Sequence, residues 1–241
     1  NIRPGSNRAG FFYDWAFDLN KLKNKTLHPV AMKQNYENYT PEDQKVWNIL
    51  FDRQFPSLPK AATKEFLIGL DKVNFTGKAI PNFEETNKVL RELTGWEIYA
   101  VPGIVEDELF FDLMANRKFP ATTWVRKMSE LDYLEEPDMF HDVFAHIPLL
   151  ANQSFVDFLQ AISKFGQEWV GDEWAIHLLS RIYWFTIEFG LIREEGELRI
   201  YGAGILSSSG ETKYSLSDEP NHFEYDVDKI LNTPYRKDNM Q

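Results

Sequence analysis

The chain has 241 residues, a net charge of −11 and a sequence pI near 5.0, long enough for one large domain that buries about 70 to 75% of its unfolded surface. Its basic residues are scattered apart from a short run at 21–25, so the electrostatic footprint of a nucleic-acid binder is missing. No apolar run approaches the roughly 20 residues that span a bilayer, and a soluble cytoplasmic protein with no membrane partner is expected. The absence of cysteine excludes disulfides, thiolate nucleophiles and thiolate-bound metals. Any metal must therefore sit on His, Asp or Glu, donors that suit zinc, iron, manganese or copper.

Residues 1–40 are rich in Asn, Pro and Gly without a sustained period and read as an arm packed on the body formed by residues 41–241. Thr40-Pro41-Glu42-Asp43 is a helix start, followed by an apolar stripe of Val46, Trp47, Ile49, Leu50 and Phe51. Helices are expected at 61–70 and 83–94, the second capped by Gly95. A strand at 96–101 closes with Pro102-Gly103, a helix with acids in its first turn covers 106–115, and a second strand covers 122–127. A helix over 154–166 is expected to face the core with Phe155, Phe158, Leu159, Ile162 and Phe165. A longer one, 174–192, is apolar nearly all round and should be buried. Residues 198–206 read as a strand entering a Gly-rich bend, 212–216 as another strand, and 226–231 as a last helix. The fold class is mainly α with small β elements, in one domain.

Two of the five histidines lie in residues 137–150, Pro-Asp-Met-Phe-His-Asp-Val-Phe-Ala-His-Ile-Pro-Leu-Leu. Apolar neighbours surround His141 and His146, so the segment is buried and its imidazoles need partners. Pro137 suits a first helical position, Asp138 puts negative charge at the helix's positive end, and Pro148 marks the exit. Residues five apart on an α-helix are offset by roughly 140°. The pair therefore fits core hydrogen bonders, and it holds one ion only if the helix is distorted near Ala145 or the ion lies at its end.

Glu188 is a lone carboxylate among apolar neighbours in residues 182–191. Buried and unpaired it would cost several kcal/mol, so Arg126, Arg181 or a metal must answer it. A single divalent ion satisfies both histidines and the glutamate, and imidazole with carboxylate and open positions is the pattern of non-haem iron(II) oxygenases. His177, eleven residues earlier and roughly 16 Å along a helix axis, is too far to be a third ligand. His28 and His222 read as surface residues.

These residues carry a resemblance. Residues 136–150, the run Tyr183-Trp-Phe-Thr-Ile-Glu-Phe-Gly-Leu191 and the run Tyr201-Gly-Ala-Gly-Ile-Leu-Ser-Ser208 resemble, in order, motifs of the pterin-dependent aromatic amino acid hydroxylases, above all the bacterial phenylalanine 4-hydroxylases. The resemblance spans about residues 34–236. It implies the single-domain catalytic fold of that family, iron(II) on His141, His146 and Glu188, and a tetrahydropterin that helps to activate dioxygen. It further implies Arg126 at the amino acid carboxylate with Ser207 assisting, and Trp184 and Phe189 shaping the ring pocket. Gly103, Ile104, Val105, Phe110, Asp142 and Tyr183 match the family's pterin residues. Ala145 stands where the family usually has Gly, which a helical backbone tolerates and a left-handed one does not. With no regulatory domain before the catalytic part and no tetramerisation helix after it, a monomer is expected. Tyrosine or tryptophan hydroxylation is the alternative inside the family. Outside it stand a zinc hydrolase, for which the zincin-type glutamate between the histidines is missing, and a helical binding protein with structural histidines.

Overall fold

The computed structural model describes residues 32–234 except Tyr133 and Glu135. Residues 1–31 of the expected arm, with His28 and the basic run, and residues 235–241 lie outside the described residues. The first long element is α1 (Pro41–Gln54). Thr40 Oγ1 accepts the Asp43 N–H at 3.2 Å while the Asp43 carboxylate accepts the Thr40 N–H at 2.7 Å, so two orphan donors of the first turn answer each other. Then come α2 (Leu58–Ala61), α3 (Lys64–Lys72) and α4 (Phe83–Leu93), after which Gly95 at φ 77 turns the chain out.

A parallel pair, β1 (Glu97–Val101) and β2 (Lys118–Thr122), is joined across α5 (Asp107–Ala115), with Val101 opposite Thr122. The strand expected at 122–127 is thus displaced: it ends at Thr122, and the residues after it bond to side chains and a helix start rather than to a strand. α6 (Gln153–Trp169) also departs from expectation, since Phe158 and Phe165 are 40% and 51% exposed. Its buried stripe is Val156, Leu159, Ser163 and Gly166. In its second half small residues, Ser163 and Gly166, take the inner face, because at Gly166 α5 lies so close that a Cβ would stand 2.7 Å from Phe111 Cγ.

The helix expected over 174–192 divides into α7 (Glu173–Tyr183), a π-helical turn (Trp184–Glu188) and β3 (Leu191–Glu194). It is not buried all round, Trp174 being 57% exposed. β3 pairs antiparallel with β4 (Glu197–Ile200) through Glu195-Gly196, both at positive φ (54 and 89), as a type I′ turn demands. The strand expected to run to 206 ends at Ile200, and the glycines after it open α8 (Ala203–Leu206). The strand expected at 212–216 is instead helix α9 (Ser209–Ser215), whose N-cap Ser208 accepts the Glu211 N–H at 3.3 Å. α10 (Val227–Asn232) is the last described element.

One aromatic core ties these pieces together behind the histidine segment. Phe140 and Phe144 stack at 4.6 Å, Phe51 and Phe66 meet Phe144 edge-on at 5.6 and 6.1 Å, and Trp47 meets Phe140 at 5.3 Å. Each such side chain contributes about 1.5 to 3 kcal/mol on burial. The segment is held by these aromatic rings, while its histidines meet Glu188 and Ser207, which follow α7 and α8.

Candidate metal centre

His141 and His146 lie on a π-helical turn, Phe140–His146, followed by a 3₁₀ turn, Ile147–Ala151. A backbone that bonds i to i+5 brings every fifth residue toward one face, which narrows the angular offset an α-helix would impose. The two rings stand 5.1 Å apart at 82°. Glu188 ends the second π-helical turn, closed by the Phe189 N–H on the Trp184 carbonyl at 2.9 Å. Ala145 is buried and is not among the positive-φ residues, so its methyl group meets no backbone strain.

His146 Nε2 lies 3.2 Å from Glu188 Oε1 and His141 Nε2 lies 3.6 Å from Glu188 Oε2, and ligand atoms of all three fall within 4.8 Å of one another. Bonds near 2.1 Å at octahedral angles set neighbouring donors about 3 Å apart, so the three side chains fit one face of an ion. Two imidazoles and a carboxylate on one face are the donor set of mononuclear iron(II) sites. A ligating imidazole must be neutral, and burial, against the pull of Glu188, lowers the His141 pKa to about 4. Burial opposes the Glu188 charge, but His146, His141 and a hydrogen bond from the Gly204 backbone outweigh it and hold the carboxyl below its usual range. Ser207 Oγ, 3.3 Å from the Gly204 carbonyl to which it donates, accepts from His141 Nδ1 at 3.0 Å. In that tautomer Nε2 keeps its lone pair for an ion shared with Glu188, as outer partners of metal histidines arrange. His146 Nδ1 is buried without a protein hydrogen-bond partner among the described residues, and its ring lies 4.9 Å from that of Phe119.

Arg126 does not answer Glu188. Its Nε and Nη2 grip Asp138 Oδ2 and Oδ1, each at 2.9 Å, and the Arg126 N–H adds a third bond at 3.0 Å. The Asp138 side chain is 0% exposed and that of Arg126 10%, so this fork is desolvated. Asp138 Oδ1 also accepts the His141 N–H at 3.2 Å. Asp138 was read from sequence only as a helix-start charge, and its signal was a carboxylate directly ahead of Met139 and Phe140 with an arginine twelve residues upstream. Arg181 lies on α7, its Nη2 2.6 Å from His177 Nε2 and its Nη1 on the Leu231 carbonyl.

Of the other sequence-derived positions, Asp142 shares the histidine turn and Trp184 the Glu188 turn. Asp142 is buried beside His141 and accepts the Thr122 N–H at 2.8 Å; burial raises its pKa to about 7 against that bond. Val101, opposite Thr122 in the ladder, leads into the loop of Gly103, Ile104 and Val105. A Cβ on Gly103 would meet nothing within 4 Å, so this loop borders open space. Phe110 is fully buried with its ring edge-on to Tyr183 at 5.6 Å. Trp184 and Phe189 pack at 4.6 Å and 35°, on the turn that carries Glu188.

The model of the biopterin-dependent aromatic amino acid hydroxylase family matches residues 24–241. The chain is 47% identical over 222 residues to the phenylalanine-4-hydroxylase of Ralstonia nicotianae, covering 91% of this chain and 71% of that protein. To the phenylalanine-4-hydroxylase of Chromobacterium violaceum it is 45% identical over 229 residues, 93% of this chain and 77% of that one. Among solved structures it resembles the Chromobacterium violaceum enzyme with bound iron(III) and oxidised 7,8-dihydrobiopterin at a TM-score of 0.85 and 44% identity, over 94% of this chain and 84% of that one. The iron- and phenylalanine-bound form gives 0.83 at 42% identity, over 89% and 78%. The chain belongs to the biopterin-dependent aromatic amino acid hydroxylases.

Proposed function

We propose that this protein hydroxylates L-phenylalanine to L-tyrosine with dioxygen, using iron(II) and a tetrahydropterin. The observation that carries the reading is the convergence of His141, His146 and Glu188 from two π-helical turns, in a chain close to phenylalanine-4-hydroxylases. Iron(II) on these ligands supplies open coordination positions for dioxygen chemistry, to which the pterin contributes two electrons.

The protein's own part is positioning. Asp138 occupies two of the five Arg126 side-chain N–H donors, and the remaining ones suit the substrate carboxylate as a planar fork. Ser207, assigned by resemblance to that carboxylate, orients His141 at the same time. Trp184 and Phe189 form a wall for the aromatic ring. Gly103, Ile104 and Val105 give backbone on open space for the pterin, with Phe110, Tyr183 and Asp142 alongside. Residues 41–241 act as one catalytic domain, which holds all three metal ligands, and the active unit is a monomer in the cytoplasm.

The test is a panel of phenylalanine, tyrosine and tryptophan with iron(II) and a tetrahydropterin, with products separated by chromatography and the enzyme sized by light scattering. Tyrosine formed from phenylalanine in preference to hydroxylation of the other two supports the proposal. Pterin-independent turnover, or a preference for tyrosine or tryptophan, refutes it.

A further inference from the structure

We infer that Tyr39 is a positioning residue for the bound amino acid, acting through the loop that carries Arg126. The inference rests on the reading of Arg126 as the carboxylate anchor. Tyr39 falls just ahead of the α1 N-cap, in the stretch whose composition marked it as an arm. Yet its hydroxyl donates to the Thr123 carbonyl at 2.7 Å and lies 3.3 Å from Met139 Sδ, and its ring packs on the core.

The loop from Thr122 to Arg126 is stitched to the metal segment almost residue by residue. Thr122 N–H reaches Asp142, Met139 N–H reaches the Trp124 carbonyl at 2.9 Å, and Arg126 N–H reaches Asp138. At Thr123 the anchor comes from Tyr39 instead. Tyr39 is itself braced: Gln34 Nε2 donates to its hydroxyl at 3.0 Å and to the Pro81 carbonyl at 2.9 Å, while Gln34 Oε1 accepts the Phe83 N–H at 2.8 Å. Tyr36 packs edge-on to it at 5.5 Å and donates to the Ile80 carbonyl at 2.7 Å. The hydroxyl therefore accepts from one side and donates to the other, and burial, which pushes its pKa to about 12, keeps the proton it donates.

This arrangement gives the Arg126 loop two supports, the metal segment and Tyr39, and the Tyr39 hydroxyl touches both loop and segment. A guanidinium that must meet a carboxylate through two parallel bonds is sensitive to small rotations of the backbone that bears it. Asp138 still holds the fork when the Tyr39 hydroxyl is gone, so the loss is selective and partial.

In the full chain, Tyr39→Phe keeps the ring and removes the hydroxyl. The phenylalanine Kd, measured by calorimetry, and its KM are expected to rise about three- to tenfold. Values of kcat, pterin KM and iron content stay within about twofold, and inhibition by 2-phenylethylamine, which lacks the carboxylate, is unchanged. Arg126→Lys is the companion. If it leaves phenylalanine binding unchanged, the parent reading of Arg126 fails. If it weakens binding while Tyr39→Phe lowers only the melting temperature, or weakens the amine equally, the role of Tyr39 is overturned. Should Tyr39→Phe fail to fold, Gln34→Met, which removes the donor to the hydroxyl, must show the same selective rise in smaller measure, and its absence overturns the inference.

Discussion

Gly202→Ala tests the close approach on which the placement of Glu188 depends. The Tyr201 and Gly202 N–H groups both bond to the Gly190 carbonyl, at 3.1 and 3.0 Å, drawing the chain that enters α8 against the chain that leaves Glu188. A Cβ on Gly202 would stand 2.5 Å from Gly190 N and 2.7 Å from Glu188 C, and would touch the Glu188 carbonyl oxygen. Gly202 has φ −70 and ψ 128, open to alanine, so the penalty is one of contact and not of conformation. Every atom met is backbone, and no rotamer relieves it. Ordinary contact begins at 3.4 Å, so the two backbones must part by about 1 Å at the closest of these atoms. Overpacking of this kind costs about 1 to 3 kcal/mol, or roughly 2 to 12 °C in melting temperature for a domain of this size. Displacement of a metal ligand by nearly 1 Å is expected to lower kcat/KM about a hundredfold. Thermal unfolding by circular dichroism, iron titration and steady-state kinetics measure the three effects. A variant with unchanged melting temperature, iron affinity and kcat/KM would show that the approach of these backbones does not set the position of Glu188.

Ser207→Ala removes the acceptor from His141 Nδ1 and is expected to weaken iron binding about 10- to 100-fold, read by competition with a chelator; unchanged affinity would deny Ser207 the orienting role. Asp138→Asn leaves the Arg126 charge desolvated and should cost about 3 to 5 kcal/mol in denaturant unfolding, with a rise in phenylalanine KM that exceeds any rise in pterin KM. Stability within about 1 kcal/mol of the parent would mean that the fork is solvated in practice. Ala145→Gly should lose about 0.5 to 1 kcal/mol, because the residue is helical and gains only unfolded-state freedom; a higher melting temperature would reveal strain at Ala145.

What was legible in the sequence follows from how local each signal is. Thr40 with Asp43 three residues on, and Gly95 after an amphipathic run, are signals contained in four or five residues, and both elements stand where they were expected. The error at 212–216 had a local remedy as well, since Ser208 with Glu211 three residues on is the same start signal that marks α1. The stretch 122–127 looked like a strand because its residues favour extended backbone. Its partners are Asp142, Asp138, Tyr39 and the Met139 N–H, none of which a strand pattern can announce. In α6 Leu159 is buried and Phe155 and Ile162 pack on the core as expected, but Phe158 and Phe165 point outward while Ser163 and Gly166 take the inner face, since the space beside Gly166 is set by Phe111 on another helix.

The histidine pair is the instructive case. Its five-residue spacing argues against a shared ligand site only while every residue is granted the roughly 100° of an α-helix. The segment instead takes i to i+5 bonding, held by the stack of Phe140 on Phe144, the ring of Trp47 from α1 against Phe140, and the Asp138 carboxylate on the His141 N–H. Glu188 arrives by a second π-helical turn whose register is held by the tight passage beside Gly190 and Gly202. A π turn is costly in isolation and collects at functional sites. Two of them meeting at three ligands means that the surrounding core, assembled from residues remote in sequence, holds the backbone in the form the metal requires. That is why the ligands could be named from their chemistry while the geometry that unites them could not be derived from their spacing.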